Sequence, residues 1–136
     1  MSAYLLDTNA LSECLRRQPS ARFLERMLAA RRNGLATSTI CVMELRFGAA
    51  RHPKGDALWS RIEKELLGDL ETLPVDEAVA IRAGELLADL EKKGTPIGVE
   101  DVLIGATALA NGLTVVTRNV RHLERLRGLQ VEWWGD

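Results

Sequence analysis

The stretch AYLLDTNALSE, Ala3 to Glu13, decides the fold of this chain. Its apolar first half ends at Leu6 and is followed directly by three polar residues, Asp7, Thr8 and Asn9. An ionised carboxylate rarely stands where a strand feeds a core, because it loses hydration there. An acid at this position therefore needs either a helix-capping role or a functional one.

Short apolar segments alternate with longer helical patterns along the rest of the chain. Strands are predicted at Tyr4–Leu6, Leu35–Ser38, Glu71–Leu73, Thr114–Thr117 and Gln130–Trp133. Helices are predicted at Leu11–Arg16, Ala21–Arg32, Ile40–Ala50, Ala57–Leu67, Asp76–Lys93, Val99–Asn111 and Val120–Arg125. This alternation predicts an α/β fold, a three-layer α/β/α sandwich around a mainly parallel sheet. Ligands bind such sheets at the carboxyl ends of the strands, where Asp7 is expected to lie.

Length and composition predict a single domain over residues 1–136. The chain is 46% hydrophobic and 27% charged with a formal charge of −1, as in many globular proteins. The net charge is close to zero, so it does not indicate a nucleic-acid partner. A cluster of acids at one site could still cancel, in this net charge, basic patches elsewhere on the surface. Neither a membrane span nor a signal peptide is apparent, and Cys14 and Cys41 suit packing positions in a reducing cytoplasm.

Two acids lack a cation on their own helical face. Most other acids have one three or four residues away, as in the pair Arg61 and Glu65. The helical neighbours of Glu44 are Ile40, Cys41, Phe47 and Gly48, and those of Asp101 are Ile97, Gly98, Ile104 and Gly105. Both acids are therefore predicted to lie on buried, apolar stripes. The small Gly105 and Ala106 are expected to let their helix approach the sheet closely, although plain packing explains them equally well.

Each acid has an ordinary explanation of its own. Asp7 suits a helix N-cap, Asp101 a first helical turn beside Glu100, and Glu44 an ion pair with a distant arginine. One hypothesis covers all three: they converge, and a cation relieves the repulsion that would otherwise raise their pKa values. Oxygen ligands without histidine or thiolate favour Mg²⁺ or Mn²⁺. Such an ion can activate water against a phosphodiester.

Three segments resemble the PIN-domain ribonucleases, in particular the VapC-type toxins of toxin–antitoxin pairs, including their FitB-like branch. They are YLLDTNALSE (4–13), STICVMELRFG (38–48) and IGVEDVLIGATALANGLTVVTRN (97–119), so the resemblance spans essentially the whole chain. It implies that Asp7, Glu44 and Asp101 are catalytic, metal-binding acids. Many relatives carry a fourth acid where this chain has Asn119. A neutral residue at that catalytic position favours one tightly held Mg²⁺, with a second ion arriving alongside substrate phosphate.

The resemblance also implies an activity and partners. The chain is expected to be an endoribonuclease toxin that uses Mg²⁺, with Mn²⁺ able to substitute. A homodimer is implied, as is a VapB-like antitoxin whose C-terminal segment fills the active-site groove. Two apolar stripes, at Phe23, Leu24, Met27 and Leu28 and at Trp59 and Ile62, suit partner contacts, although such stripes usually belong to a core.

Four polar residues are expected to support the acids. Thr8 and Asn9 are positioned to hydrogen-bond the acids or the adjoining backbone turn. Ser38 and Thr117, at the ends of two predicted strands, are expected to face the same crevice. A role as caps or strand-end hydroxyls explains Ser38 and Thr117 equally well.

Arginines near the crevice are the candidates for contacts with RNA phosphates. Arg118 is the best placed, followed by Arg46 and Arg121, and a solvated side chain is the alternative for each. His52 and His122 match no motif and are assigned to an exposed turn and a surface helix. A metal-independent ribonuclease with histidine acid–base chemistry is therefore not expected.

Other function classes compete with the toxin hypothesis. Asn119 leaves open a weak or inactive PIN-like binding module. A Mg²⁺-dependent phosphohydrolase of small esters, of the haloacid dehalogenase type, would carry an acid where Asn9 stands. A receiver domain would need an aspartate after Leu73 and a lysine at its fifth strand, yet no lysine follows Lys93.

Overall fold

A computed structural model describes residues 2–136 and confirms the α/β fold. Its sheet has the strand order β3-β2-β1-β4-β5, and every neighbouring pair is parallel. The strands are β1 Tyr4–Leu6, β2 Leu35–Ser38, β3 Glu71–Leu73, β4 Thr114–Val116 and β5 Val131–Glu132. β1 lies at the centre, where Leu5 is in register with Ala36 on one side and Val115 on the other.

Helices connect the strands close to the predicted positions. They are α1 Thr8–Leu15, α2 Ala21–Ala30, α3 Thr39–Arg51, α4 Gly55–Arg61, α5 Glu77–Lys93, α6 Val99–Ala110 and α7 Val120–Leu123. Helix α1 begins three residues before the predicted Leu11, because the Asp7 carboxylate caps its first turn. The helix predicted up to Leu67 changes after Arg61 into a π-helical turn, Ile62–Leu66, and then a 3₁₀ turn.

Both faces of the sheet are covered. Leu5 and Leu6 are consecutive strand residues that point to opposite faces, and both are 0% exposed. One core cluster joins the sheet to α1, α2 and α3, and a second joins α5 to α6 and to the segment after α7. The predicted three-layer sandwich is confirmed. Within residues 2–136, no helix has the length and apolar character needed to cross a bilayer.

The carboxyl ends of β1, β2 and β4 meet along one edge of the sheet, since these strands are parallel neighbours. The residues at those ends are Asp7, Ser38 and Thr117. The Asp7 N–H donates to the Val116 carbonyl at 3.2 Å, which continues the β1–β4 ladder up to the acid. Backbone pairing with β4 therefore fixes the position of Asp7 at the edge of the crevice.

Three side chains near the C-terminus and in α2 close one end of the core. Trp134 is buried and packs edge-on against Tyr4 with ring centroids 5.1 Å apart. Trp133 is half-buried, and its ring lies 5.3 Å from that of Phe23. The last strand is thus anchored to both the first strand and α2.

Gly105 allows a close approach, although its neighbours differ from those expected. A Cβ at this position would overlap the Leu126 side chain and lie 3.3 Å from Leu129 Cδ2. These leucines belong to the segment after α7, so the predicted approach to the sheet is wrong at this residue. The missing side chain instead lets that segment pack onto α6.

We predict that Gly105→Ala destabilises the protein by about 1–3 kcal/mol, because Leu126 is buried and must move to make room. Gly84→Ala is the matched control, since a Cβ there meets nothing within 4 Å. It should stabilise α5 by about 0.5–1 kcal/mol. Urea unfolding of both variants measures the difference, and equal effects would contradict the packing described for Gly105.

Candidate active site

Asp7 is a buried acid without a basic partner among residues 2–136. It is 4% exposed, its carboxylate accepts a hydrogen bond from the Ala10 N–H at 3.1 Å, and the Thr117 hydroxyl lies near enough to lower its pKa. Burial is the main reason that the pKa of Asp7 is raised to about 6; the nearby charge of Asp101 acts in the same direction, and Thr117 and the Ala10 and Asn9 N–H groups act against it. Asp7 therefore acts as an N-cap and also lies near a second acid.

Asp101 lies in the first turn of α6 and is half-buried. Burial raises its pKa first of all, and the charge of Glu100 adds to this, while His122 acts in the opposite direction. The first-turn position expected for Asp101 is observed, together with its proximity to Asp7. The end of β1 and the start of α6 thus bring two carboxylates to one place.

Glu44 is attached to the same region through a hydrogen bond. Its Oε1 accepts from the Thr8 hydroxyl at 2.5 Å, which joins α3 to α1. The prediction of a buried apolar stripe around Glu44 is wrong, because Phe47 is 60% exposed and Cys41 alone of the four helical neighbours is buried. Glu44 is consequently half-buried and forms part of a crevice wall.

The described residues do not form a ready-made set of three metal ligands. Within residues 2–136, no group of three or more acidic, histidine or cysteine side chains stands close enough to hold an ion as arranged. Asp101 lies near enough for its charge to act on Asp7, whereas Glu44 is held by Thr8, the residue next to Asp7. Like charges repel one another, and the Thr8 hydroxyl offers Glu44 a neutral partner instead.

The chemistry of the donors nevertheless fits a hard divalent cation. A buried acid is normally balanced by a cation, as Glu13 is by Arg16 and Arg118. Asp7 has no such partner in the described part of the chain, and the side chains that act on it are the Asp101 carboxylate and the Thr117 hydroxyl, both of which carry oxygen. Asp7 and Asp101 would hold the ion, and Glu44 would join them by leaving Thr8.

The Thr117 hydroxyl is the centre of the supporting hydrogen bonds. It lies near enough to Asp7 to lower the pKa of that acid, and it accepts from Asn9 Nδ2 at 3.3 Å and from the Asn119 N–H at 3.0 Å. Asn9 Oδ1 also accepts from the Arg118 N–H at 2.8 Å, so Asn9 binds the backbone of the turn after β4. Ser38 caps α3 through the Cys41 N–H at 3.2 Å, which is the capping alternative considered for it.

The three candidate arginines differ in their surroundings. Arg118 donates to Glu13 at 2.5 Å and lies 4.8 Å from the ring centroid of Trp133. Arg46 stacks on Trp59 at 5.2 Å. Arg121 is exposed and makes no ion pair within the described range. Contact with the substrate stays a prediction for all three arginines. Of the three, Arg118 already contacts an acidic side chain of this chain, Glu13.

Two residues near the site were not predicted. His122 Nδ1 is 3.0 Å from Asn119 Nδ2, and its charge acts on Asp101. The three-residue spacing between Asn119 and His122 could have indicated this pair. Glu13 was not predicted because an ion pair with the nearby Arg16 is enough to explain an acid at this position. Its contact with Arg118 spans 105 residues and has no local sequence signal.

We predict that Asp7→Asn stabilises the metal-free protein at neutral pH. The unfolded-state pKa is about 3.9, and the folded-state pKa is about 6, so the wild type loses stability as pH rises between these values and stays level above them. Asparagine keeps the N-cap without the charge. The gain at neutral pH should be about 1–3 kcal/mol.

Urea unfolding in EDTA over a pH series measures this effect. The difference between wild type and Asp7→Asn should shrink as the solution is acidified towards the unfolded-state pKa. A variant that is less stable than wild type at neutral pH would show that the carboxylate is not strained by burial.

Comparisons with known proteins identify the family. Residues 4–129 match the PIN domain family. The tRNA(fMet)-specific endonuclease VapC of Salmonella typhimurium is 32% identical over 98% of this chain and 99% of that protein. The toxin FitB of Neisseria gonorrhoeae is 36% identical over 85% of this chain and 86% of that protein. The crystal structure of DNA-bound VapBC from Salmonella typhimurium superposes with a TM-score of 0.91 at 34% identity, covering 98% of this chain and 99% of that one. Sequence and fold agree over almost the whole length, so this chain belongs to the PIN-domain family and, within it, to the VapC-type ribonucleases.

Proposed function

We propose that this protein is a Mg²⁺-dependent endoribonuclease that acts as the toxin of a toxin–antitoxin pair. The observation that carries the proposal is the buried Asp7 carboxylate, which lies near Asp101 and has no basic partner in the described part of the chain. The relatives that match it almost from end to end are themselves named ribonucleases and endonucleases. Structured RNA is the substrate class we assign, because one of these relatives is named for a tRNA.

Each residue of the site has a distinct part in the proposed reaction. Asp7 and Asp101, with Glu44, supply the negative charge that holds Mg²⁺. When bound, Mg²⁺ would polarise the phosphodiester and increase the acidity of a coordinated water. Thr117 would orient the Asp7 carboxylate, and Asn119, whose side-chain amide lies 3.0 Å from His122 Nδ1, adds no negative charge.

Mn²⁺ is expected to replace Mg²⁺, since both ions accept oxygen ligands in similar sites. The neutral Asn119 lowers the negative charge of the site relative to one with four acids. This favours one resident ion, with a second recruited together with the phosphate of the substrate.

A groove beside α2 is the surface we assign to the antitoxin. Its apolar lining residues are Cys14, Leu15, Leu24, Met27, Leu28 and Leu66, and its volume is about 260 Å³. The predicted α2 stripe is divided, because Phe23 belongs to the core whereas Leu28 is 64% exposed. The second predicted stripe is mainly core, since Ile62 is buried and Trp59 half-buried. Homology to a protein solved as a VapBC complex supports the antitoxin as the partner.

We also propose a homodimer of single-domain chains in the cytoplasm. Apolar side chains are exposed on three helices, namely Met43, Phe47, Ile81 and Val99. Burying these side chains against a second copy would remove them from water. Cys14 and Cys41 are free thiols, which suits a reducing compartment.

The competing functions lack such support. An esterase of the haloacid dehalogenase type needs a general acid at position 9, but Asn9 is neutral and is hydrogen-bonded to the Arg118 turn. Against an inactive binding module, we weigh the presence in this chain of all three acids of the matched motifs, Asp7, Glu44 and Asp101.

We predict that the purified protein cleaves RNA with Mg²⁺ and that EDTA abolishes the cleavage. Asp101→Asn should lower kcat by at least about 100-fold, because it removes a charge that holds the ion. Glu100→Gln is the matched control, since Glu100 is an exposed acid in the same helical turn. It should leave kcat unchanged.

Cleavage that survives EDTA would refute the metal-dependent mechanism. Hydrolysis of p-nitrophenyl phosphate without cleavage of RNA would instead support the small-ester phosphohydrolase. Mg²⁺ binding without either activity would indicate the inactive PIN-like module.

A further inference from the structure

Glu13 is a fully paired acid beside the candidate site. It is 1% exposed, and its Oε1 accepts from Arg118 at 2.5 Å and from Arg16 at 3.2 Å. Its Oε2 accepts from the Ser20 N–H at 2.8 Å. These partners balance the buried charge, and the hydrogen bond from Ser20 is the main reason that the pKa of Glu13 is lowered. The Glu13 carboxylate is therefore a fixed anion in α1.

Arg118 is held at three points, which fixes the turn that follows β4. Its guanidinium donates to Glu13 and lies over the Trp133 ring, and its backbone N–H donates to Asn9 Oδ1. Planar guanidinium groups bind carboxylates and aromatic faces in defined orientations. The turn is thus tied both to α1 and to the end of the chain.

The same turn carries the group that orients Asp7. Thr117 lies between Arg118 and Val116, whose carbonyl accepts from the Asp7 N–H at 3.2 Å, and the Thr117 hydroxyl is near enough to the Asp7 carboxylate to lower its pKa. Asn119 follows, and its N–H donates back to the Thr117 oxygen at 3.0 Å. Movement of Arg118 would therefore move the hydroxyl that acts on Asp7.

We propose that Glu13 is a positioning residue for the active site. It acts through Arg118, which keeps residues 117–119 in the conformation that lets Thr117 hold Asp7. The effect on RNA cleavage rests on the proposed function, whereas the effect on the order of the turn does not. Arg118 is accordingly assigned to positioning in place of the phosphate contact predicted for it.

A purely structural role for Glu13 predicts different behaviour. In that case its bonds to Arg16 and Ser20 would only secure the end of α1, and their loss would lower Tm without altering the active site. Arg16→Met is the matched control, because it removes a cation from the same carboxylate and leaves the link to Arg118 intact.

The test compares Glu13→Gln and Arg118→Met with Arg16→Met, each well below its Tm. Amide hydrogen exchange at Arg118 and Asn119 reports the order of the turn, and Mn²⁺ affinity measured by electron paramagnetic resonance reports the site. RNA cleavage gives kcat and KM. We expect faster exchange at both amides and a loss of about 10- to 100-fold in Mn²⁺ affinity or kcat for Glu13→Gln and Arg118→Met. Arg16→Met should stay within about twofold of wild type in every measurement.

The double variant Glu13→Gln with Arg118→Met provides a second criterion. If Glu13 acts through Arg118, the double variant should lose no more than the more affected single variant, because the two residues form one unit. Additive losses in kcat or Mn²⁺ affinity would overturn the proposal. Should Arg118→Met fail to fold, Glu13→Gln keeps the carboxylate shape and decides the question alone.

Unchanged exchange, Mn²⁺ affinity and kcat in Glu13→Gln would overturn the proposal, as would equal effects of Arg16→Met. A wild-type protein that binds Mn²⁺ but leaves RNA intact would refute the proposed function. The exchange and Mn²⁺ comparisons would still decide whether Glu13 positions the site.

Discussion

Burial of the Asp7 carboxylate at the end of the central strand is the constraint on which the site depends. The acid is fixed from both sides, since its N–H extends the β1–β4 ladder and its carboxylate caps α1. It cannot turn towards solvent without breaking the cap. Burial therefore disfavours its charged form, which the raised pKa reflects, and a cation brought into the crevice would relieve that cost.

The two buried acids of the described residues, Glu13 and Asp7, have opposite electrostatic surroundings. Glu13 is surrounded by two arginines and a backbone N–H, so its charge is permanent and its position fixed. Asp7 lies six residues earlier and has only neutral donors around it. Removing one partner from a balanced buried pair leaves an uncompensated charge, whereas an acid without a partner has its charge available for a ligand. This difference separates a structural anion from a functional one.

The sequence predicted the architecture well because its signals are local. Apolar runs, spacing and the residues after each strand were enough for the strand positions, the parallel sheet and the polar crevice edge. The burial of Glu44 was misjudged, because α3 leaves Phe47 exposed and an apolar neighbour in sequence need not be buried. The pairing of Glu13 with Arg118 could not be predicted, since it depends on how α1 meets the turn after β4. The contact of Gly105 with Leu126 depends likewise on how the segment after α7 packs.

The hydrogen bond between Asn9 and Thr117 joins residues 108 positions apart. One end leaves the ribosome early and the other only when the chain is nearly finished, so the hydroxyl that orients Asp7 is absent during most of synthesis. A nascent chain or a fragment that ends before β4 also lacks the strand that pairs with β1 beside the acid. The activity of such a protein would harm the cell that makes it. Because residues on both sides of the site are needed, the site can form only once β4 and the turn after it have been synthesised.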